Sequence, residues 1–143
     1  MNLIIAGPQG SGKGTQAELL AKKLGLLHLE TGKMFRRLAE QKTGLGKKIA
    51  ILLKDGKIIS DQLTISLISP FLTKKNLDKG IVFDGFPRRL SQIKWLDKKT
   101  AERGNQINKL LFLKISQKES VRRLLSRRLC PQCGRNFNLV TMP

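Results

Sequence analysis

A glycine-rich stretch near the start of the chain, residues 7–15 (GPQGSGKGT), constrains the fold more than any other part of the sequence. It follows a short apolar run at residues 3–6. The segment after it repeats apolar residues at the spacing of one helix face: Ala17, Leu20, Ala21 and Leu24. A strand, a glycine-rich turn and a helix in this order are typical of a phosphate-binding loop. The sequence therefore predicts a β–loop–α unit with an anion site at the start of the helix.

The chemistry of this loop comes from its main chain and from one lysine. Glycines let consecutive N–H groups converge on one anion, since a Cβ atom would crowd the approach. The helix that follows directs the positive end of its dipole at the same place, and Lys13 adds a full charge. Gly14 stands where the general pattern has serine or threonine, so the hydroxyl that could ligate magnesium belongs to Thr15. The alternative is a glycine-rich turn that binds nothing.

Length and charge narrow the class of protein without deciding its partner. The 143 residues suffice for one α/β core and a small appended module. The net charge of +18 suits nucleic acid, a membrane surface or small polyanions, but the lysines are spread along the whole chain, as on solvated helix faces. No apolar run approaches the length of a membrane span, and the N-terminus lacks the pattern of a secretory leader. We therefore expect a cytoplasmic location.

Short apolar runs alternate with helical segments along the rest of the chain. The strands expected after the loop are residues 26–29, 81–83 and 110–113. This alternation predicts an α/β fold in which helices cover both faces of a parallel sheet. We expect Gly25 to end the first helix, Thr31 to cap the second, Ser60 with Asp61 to cap a later one, and residues 76–80 to form a turn. The last helix should start at a capping box, in which Ser116 and Glu119 pair, and direct three apolar side chains inward: Val121, Leu124 and Leu125.

Asp84 ends the strand at residues 81–83. In open α/β sheets ligands bind beyond the carboxyl ends of the strands, so Asp84 should face the glycine-rich loop. A carboxylate there can hold a magnesium ion against nucleotide phosphates. The alternative is an aspartate that only caps the following turn. His28 lies in an apolar run and is expected to be a hydrogen-bonded core histidine.

Four arginines are candidates for contacts with phosphate oxygens, which suit a planar guanidinium group. Arg88 follows Pro87, which would fix the loop that aims it, and Arg36 lies in the second expected helix. Arg123 and Arg127 are four residues apart and would share one face of the last helix. Each of these arginines alone would more often be a surface residue.

Taken together, these motifs resemble those of the adenylate kinase family. The loop at residues 7–15, including its Gly14, looks like the adenylate kinase form of the phosphate loop. Residues 84–88 (DGFPR), with Gln92 four positions further on, resemble the family signature. The remaining similar segments are residues 31–36 (TGKMFR), residues 55–59 (DGKII), and Arg123 with Arg127 and Arg128 ahead of residues 130–135 (CPQCGR).

The resemblance implies a P-loop NTPase-type fold that binds two nucleotides and converts ATP and AMP into two ADP. The residues implied for ATP are Gly10, Ser11, Gly12, Lys13, Gly14, Thr15, Arg123 and Arg127. Those implied for AMP are Thr31, Arg36, Lys57, Ile58, Ile59, Gly85, Phe86, Pro87, Arg88 and Gln92, whose amide would read the adenine edge. The implied catalytic residues are Lys13, Asp84, Arg88, Arg123 and Arg127, with Mg²⁺ bound beside Asp84.

The same resemblance divides the chain into three parts. These are a core domain at residues 1–29 and 60–129, a small helical NMP-binding domain at residues 30–59, and the start of a zinc-type lid at residues 130–143. Cys130 and Cys133 form a C-x-x-C pair, which in a reducing compartment favours metal or redox chemistry over a disulfide. They would supply two of four tetrahedral zinc ligands. The family continues past Pro143, so we expect an incomplete, monomeric adenylate kinase.

Three other functions stay open at this point. A kinase for UMP, CMP or GMP would share the phosphate loop, although Gln92 favours adenine. A fragment of an adenylate kinase could also bind nucleotides without transferring phosphate. A nucleic-acid-binding module would suit the charge, but aromatic residues make up only 5% of the chain and do not alternate with basic ones. We expect ATP and AMP as partners, and neither nucleic acid nor a membrane.

Overall fold

Four parallel strands form the central sheet, and a two-stranded antiparallel hairpin follows it. The computed structural model describes residues 1–57, 59–132 and 136–140. The strands are β1 (Asn2–Ala6), β2 (Leu27–Glu30), β3 (Ile81–Asp84), β4 (Ile107–Phe112), β5 (Arg127–Leu129) and β6 (Asn136–Asn138). In space the sheet runs β2-β3-β1-β4, whereas β5 pairs with β6. The predicted parallel α/β sheet is thus confirmed.

Helices connect the parallel strands, as parallel strands require. They are α1 (Lys13–Leu24), α2 (Thr31–Ala39), α3 (Gly44–Lys54), α4 (Asp61–Ile68), α5 (Lys74–Lys79), α6 (Leu90–Ala101) and α7 (Gln117–Leu125), with a 3-10 turn at Ser69–Phe71. Four of them begin at a hydroxyl that accepts the N–H group three residues later, which satisfies one free amide of the first turn. The capping residues are Thr43, Ser60, Thr73 and Ser116.

The core lies on both faces of the sheet because successive residues of each buried strand point to opposite faces. On one face Leu3, Ile5 and Val82 pack against α1 through Ala17 and Ala21. On the other face a larger cluster combines strand residues with residues from α4, α5, α6 and the loops beside them: Ile4, Leu29, Ile68, Leu72, Leu77, Ile81, Phe83, Phe86 and Leu96. The carboxyl ends of β1 and β3 are therefore held from two sides.

Two predictions of local structure in segments next to β3 were wrong. Residues 76–80 were expected to form a turn, but Lys74–Lys79 is helix α5, which starts at the Thr73 cap and buries Leu77 completely. Thr31 was expected to cap a helix from outside. It is instead the first residue of α2, and its Oγ1 donates a 3.1 Å hydrogen bond to the Asp84 carbonyl. A partner 53 residues away in sequence cannot be read from a local pattern.

The last helix also differs from the prediction. The start at the Ser116 cap is confirmed, but Val121 is 48% exposed and Leu125 is 74% exposed, so neither points inward. Helix α7 ends at Leu125, and Arg127 is the first residue of β5, opposite Asn138 of β6. Arg123 and Arg127 therefore do not share a helix face, because the hairpin pairing replaces the next helical turn.

None of the helices in the described part of the chain combines the length and the apolar character that crossing a bilayer requires.

Candidate active site

The loop between β1 and α1 is packed against α7, which fixes its path. Gly10 has a φ of 75°, and a Cβ atom there would lie 3.0 Å from the Ser120 carbonyl oxygen. The Ser120 hydroxyl donates a 2.7 Å hydrogen bond to the carbonyl of Gln9. Both the dihedral angle and the close approach require glycine at position 10. The loop is thus held in place by a helix more than 100 residues later in the chain.

Lys13 folds back over the loop that precedes it. Its Nζ atom donates hydrogen bonds of 2.7 Å to the carbonyl oxygens of Gly7 and Pro8. Burial lowers the pKa of Lys13, Asp84 opposes this effect, and the positive charge of Arg88 adds to it. The ammonium group is therefore incompletely compensated within the chain, and a phosphate would supply negative charge where the charged form of Lys13 needs it.

Asp84 lies at the carboxyl end of β3, and its side chain faces the loop. A Cβ atom at Gly14 would lie 3.5 Å from Asp84 Oδ2, so the glycine leaves space in front of the carboxylate. Asp84 is only 7% exposed. Its Oδ2 lies 3.7 Å from Nε2 of His28, and this buried nitrogen finds no hydrogen-bond partner among the described residues. The prediction of a hydrogen-bonded His28 was therefore wrong for Nε2.

Arg88 is held beside Asp84 by the turn that follows β3. Its Nε donates a 2.7 Å hydrogen bond to the Gly85 carbonyl. Gly85 has a φ of 78°, and a Cβ atom there would come within 2.6 Å of Thr31 Oγ1 and 3.2 Å of Arg88 Nη2. Glycine thus lets the turn pass between α2 and the guanidinium group. Phe86, almost fully buried beside Phe83 and Trp95, anchors the same turn in the core.

Gln92 forms part of a polar network that the sequence reasoning missed. Its Oε1 accepts a 2.7 Å hydrogen bond from the Arg88 N–H, and its Nε2 donates a 2.7 Å hydrogen bond to Asp61 Oδ1. The Asp61 carboxylate also accepts from the Ser91 hydroxyl at 2.5 Å and from Arg89 at 3.3 Å. From the sequence alone, Asp61 is expected only to form part of a helix cap. No local signal linked it to residues about 30 positions later.

Comparison with known proteins decides the family. The adenylate kinase family model matches residues 5–136. The adenylate kinase of Thermosipho africanus is 38% identical over 143 residues, covering 100% of this chain and 67% of the relative. That of Finegoldia magna is also 38% identical, over 100% of this chain and 66% of the relative. That of Carboxydothermus hydrogenoformans is 37% identical, over 100% and 67% respectively.

The chain belongs to the adenylate kinase family. The predictions of an adenylate kinase resemblance and of a phosphotransferase that serves the reaction of ATP with AMP are confirmed by these matches. The chain spans about two thirds of the length of these relatives. Among the described residues, the adenylate kinase motifs bring Lys13, Gly14 and Asp84 together with Thr31, Gly85 and Arg88 around the carboxyl ends of β1 and β3.

The remaining AMP candidates of the adenylate kinase pattern are engaged elsewhere. Arg36 pairs with Glu30 at 2.8 Å, and Lys57 pairs with Asp55 at 3.1 Å. Both cations are well exposed and can exchange a carboxylate for a phosphate at little cost, since exposed ion pairs are weak. Ile59 is buried, whereas Ile58 lies outside the described residues.

Arg123 lies beside the phosphate loop but is bound to a carboxylate. A Cβ atom at Gly10 would lie 3.4 Å from Arg123 Cβ, and Arg123 Nε donates a 2.6 Å hydrogen bond to Glu119. Hydrogen bonds from Arg122 and Arg123 lower the pKa of Glu119 to about 2. Glu119 was expected to serve the start of α7, and its carboxylate instead joins two arginines. Arg127, in β5, is exposed.

The described residues support the predicted magnesium site more than the predicted zinc site. Adenylate kinases use Mg²⁺ with ATP. The Asp84 carboxylate and the Thr15 hydroxyl, at the end of β3 and the start of α1, are the hard oxygen donors that Mg²⁺ prefers. For zinc, Cys130 is partly buried, and Cys133 lies outside the described residues. No group of three or more His, Cys, Asp or Glu that could hold a metal occurs among the described residues.

Proposed function

We propose that this chain binds ATP at the phosphate loop and AMP across the carboxyl end of β3, and transfers the terminal phosphoryl group between them. The observation that supports this most directly is the position of the Asp84 carboxylate beside Gly14 of the loop, with Arg88 in the turn that follows β3. The proposed binding regions are the core at residues 1–29 and 60–129 and the AMP-binding segment at residues 30–59. The start of a lid at residues 130–143 completes the proposed division.

On the ATP side, the residues that we propose to hold the phosphates are Gly10, Ser11, Gly12, Lys13, Gly14 and Thr15. Helix α1 begins at Lys13 directly after the glycines, so its free N–H groups point to the loop. Ser11 supports this role, because its buried Oγ finds no hydrogen-bond partner in the described structure. Arg123 lies close enough to join the site once it leaves Glu119, whereas Arg127 would have to approach from β5.

On the AMP side, the proposed contacts surround the turn after β3: Thr31, Gly85, Phe86, Pro87, Arg88 and Gln92. Arg36, Lys57, Ile58 and Ile59 complete the proposed set from residues 30–59. Helices α2 and α3 pack against each other in this segment. Arg36 and Lys57 would bind the AMP phosphate by giving up Glu30 and Asp55.

The proposed phosphoryl transfer depends on the alignment of the two nucleotides more than on acid–base catalysis. An anionic oxygen of the AMP phosphate attacks the γ-phosphorus of ATP, the bond from that phosphorus to the β–γ bridging oxygen breaks, and two ADP result. Lys13, Arg88 and Arg123 would lower the repulsion between the two polyanions. Mg²⁺, held by Asp84 and Thr15, would neutralise phosphate charge when bound. Closure over both nucleotides would keep water from the phosphorus.

Lys13→Met is the test of the ATP site. We expect ATP affinity to fall by about tenfold or more, since Lys13 would form charge-assisted hydrogen bonds to phosphate. Lys114→Met, at an exposed position, removes the same charge and should leave ATP affinity unchanged. Isothermal titration with ATP measures both variants. Equal affinity of Lys13→Met and the unaltered chain would contradict the site.

ADP formation from ATP and AMP then tests transfer itself. The second candidate function is nucleotide binding without transfer. One observation favours it: Arg127 lies in β5 rather than beside Arg123. ATP binding without ADP formation would support this second function. Transfer to UMP in preference to AMP would instead favour a different acceptor. A structural zinc at Cys130 and Cys133, a cytoplasmic location and a monomeric state stay predictions.

A further inference from the structure

The carboxamide of Gln92 is oriented by partners on both of its polar atoms. Gln92 is 4% exposed, so its amide has no bulk water to satisfy it. Oε1 accepts from the Arg88 N–H, and Nε2 donates to Asp61. A primary amide has two donors and an oxygen with two lone pairs, so one N–H and one lone pair remain for a ligand. The amide of Gln92 thus has a defined orientation and keeps one donor and one acceptor for a ligand.

The Asp61 carboxylate is also held in place by hydrogen bonds. The Ser91 hydroxyl, the Gln92 amide and the Arg89 guanidinium all donate to its carboxylate. The hydrogen bond from Ser91, followed by those from Gln92 and Arg89, keeps the pKa of Asp61 below its ordinary value. The group is therefore an anion at neutral pH, and an anion can only accept hydrogen bonds. Asp61 belongs to the first turn of α4, which Ser60 caps.

We infer that Asp61 is a positioning residue for base selection, which fixes the flip state of the Gln92 amide so that it matches adenine and not hypoxanthine. This inference rests on the proposed AMP site. A flipped amide would turn its oxygen toward the Asp61 carboxylate and its NH₂ group toward the Arg88 N–H. Both contacts would then be repulsive, so the carboxylate and the main-chain amide together select one orientation.

The orientation of the Gln92 amide matters because adenine and hypoxanthine carry opposite donor and acceptor groups at positions 6 and 1 of the ring. Adenine offers a donor at its 6-amino group and an acceptor at N1. Hypoxanthine offers an acceptor at O6 and a donor at N1–H. An amide with a fixed flip state pairs with only one of these edges, and an amide free to flip pairs with both. Loss of Asp61 should therefore weaken AMP binding and strengthen IMP binding, which a loss of packing alone would not do.

Titration of AMP and IMP into Asp61→Ala tests the inference. We expect the ratio of AMP to IMP affinity to fall by about tenfold, the value of one hydrogen bond to a charged group. ATP affinity should stay as in the unaltered chain. Asp97→Ala removes an exposed carboxylate from α6, the helix that carries Gln92, and should leave the ratio unchanged. Asp61→Asn keeps the size of the side chain but can donate as well as accept, so it should also lower the ratio, and it provides the test if Asp61→Ala folds poorly.

A second measurement separates positioning from general stability. In the double variant Asp61→Ala/Gln92→Ala the ratio should equal that of Gln92→Ala alone, since Asp61 would act through the amide. An unchanged AMP-to-IMP ratio in both Asp61 variants, with normal AMP binding by the unaltered chain, would overturn this inference alone. Absence of AMP binding by the unaltered chain would overturn the proposed AMP site and this inference with it.

Discussion

The two sides of the sheet differ sharply in how much apolar surface they bury. On the side of β3, Phe83 is fully buried and Phe86 is 1% exposed. On the side of β4 and α7, Phe112 is 61% exposed and Leu125 is 74% exposed. We call the half of the molecule formed by β3 and the core cluster around Phe83 the β3 side, and the half formed by β4 and α7 the β4 side. Because stabilisation follows the apolar area removed from water, the β3 side carries most of the fold's stability.

This difference bears on the proposed function because the two proposed nucleotide sites lie differently with respect to it. The proposed AMP contacts follow β3 and share its buried core. The phosphate loop lies at the border, since Gly10 packs against Ser120 of α7 on the β4 side. We therefore expect the proposed AMP side to be stable by itself, and the proposed ATP side to respond to changes in α7.

Truncation of one phenylalanine on each side gives the largest expected contrast. Phe83→Ala should cost about 3–5 kcal/mol of unfolding free energy, because it removes a buried ring and leaves a cavity. Phe112→Ala, at an exposed position of β4, should change the unfolding free energy by no more than about 0.5 kcal/mol. Urea denaturation followed by circular dichroism measures both. Similar losses for the two variants would show that the sides do not differ in stability.

An intermediate effect is expected for Gly10→Ala, which tests the link between the loop and α7. The positive φ and the contact with Ser120 should together cost about 1–3 kcal/mol of unfolding free energy and weaken ATP binding. Gly104→Ala is a matched control, since its φ of 68° is also positive but no atom lies within 4 Å of the added Cβ. It should be destabilising while ATP affinity stays unchanged. Thermal unfolding and ATP titration report the two effects, and normal ATP binding by Gly10→Ala would break the link.

The smallest effect concerns pH dependence on the β4 side. The pKa of Glu119 is about 2 in the folded chain, below its ordinary value of 4.5. Its ion pairs with Arg122 and Arg123 therefore stabilise the fold above about pH 4.5, and this contribution is lost as the pH falls toward 2. Glu119→Gln should weaken the dependence of the melting temperature on pH within this window.

Glu102→Gln provides the comparison from the β3 side. A hydrogen bond from Lys99 lowers the pKa of Glu102, so its carboxylate also stabilises the fold at higher pH. Glu102 accepts a side-chain hydrogen bond from one lysine, whereas Glu119 accepts from two arginines. The loss of pH dependence in Glu102→Gln should therefore be smaller than in Glu119→Gln. A melting profile between pH 2 and pH 6 that does not change in Glu119→Gln would contradict the ion pairs at Glu119.

The features that the sequence predicted well depend on neighbours along the chain. The phosphate loop, the caps at Ser60 and Ser116 and the end of α1 at Gly25 each follow from a few consecutive residues. Helix α5 was missed because its six residues carry too little periodicity to be distinguished from a turn. The inward direction of Val121 and Leu125 was predicted from helical spacing, which finds an apolar face but not whether anything packs against it.

By itself the sequence determined the family, the alternation of strands and helices in the core and the glycine-rich loop at residues 7–15, because backbone freedom, caps and apolar periodicity act over short distances along the chain. Tertiary structure alone decided which distant polar groups meet. It placed Asp61 on Gln92 and Thr31 on the Asp84 carbonyl. These pairings depend on folding that brings distant residues within about 3 Å, the range in which hydrogen bonds form.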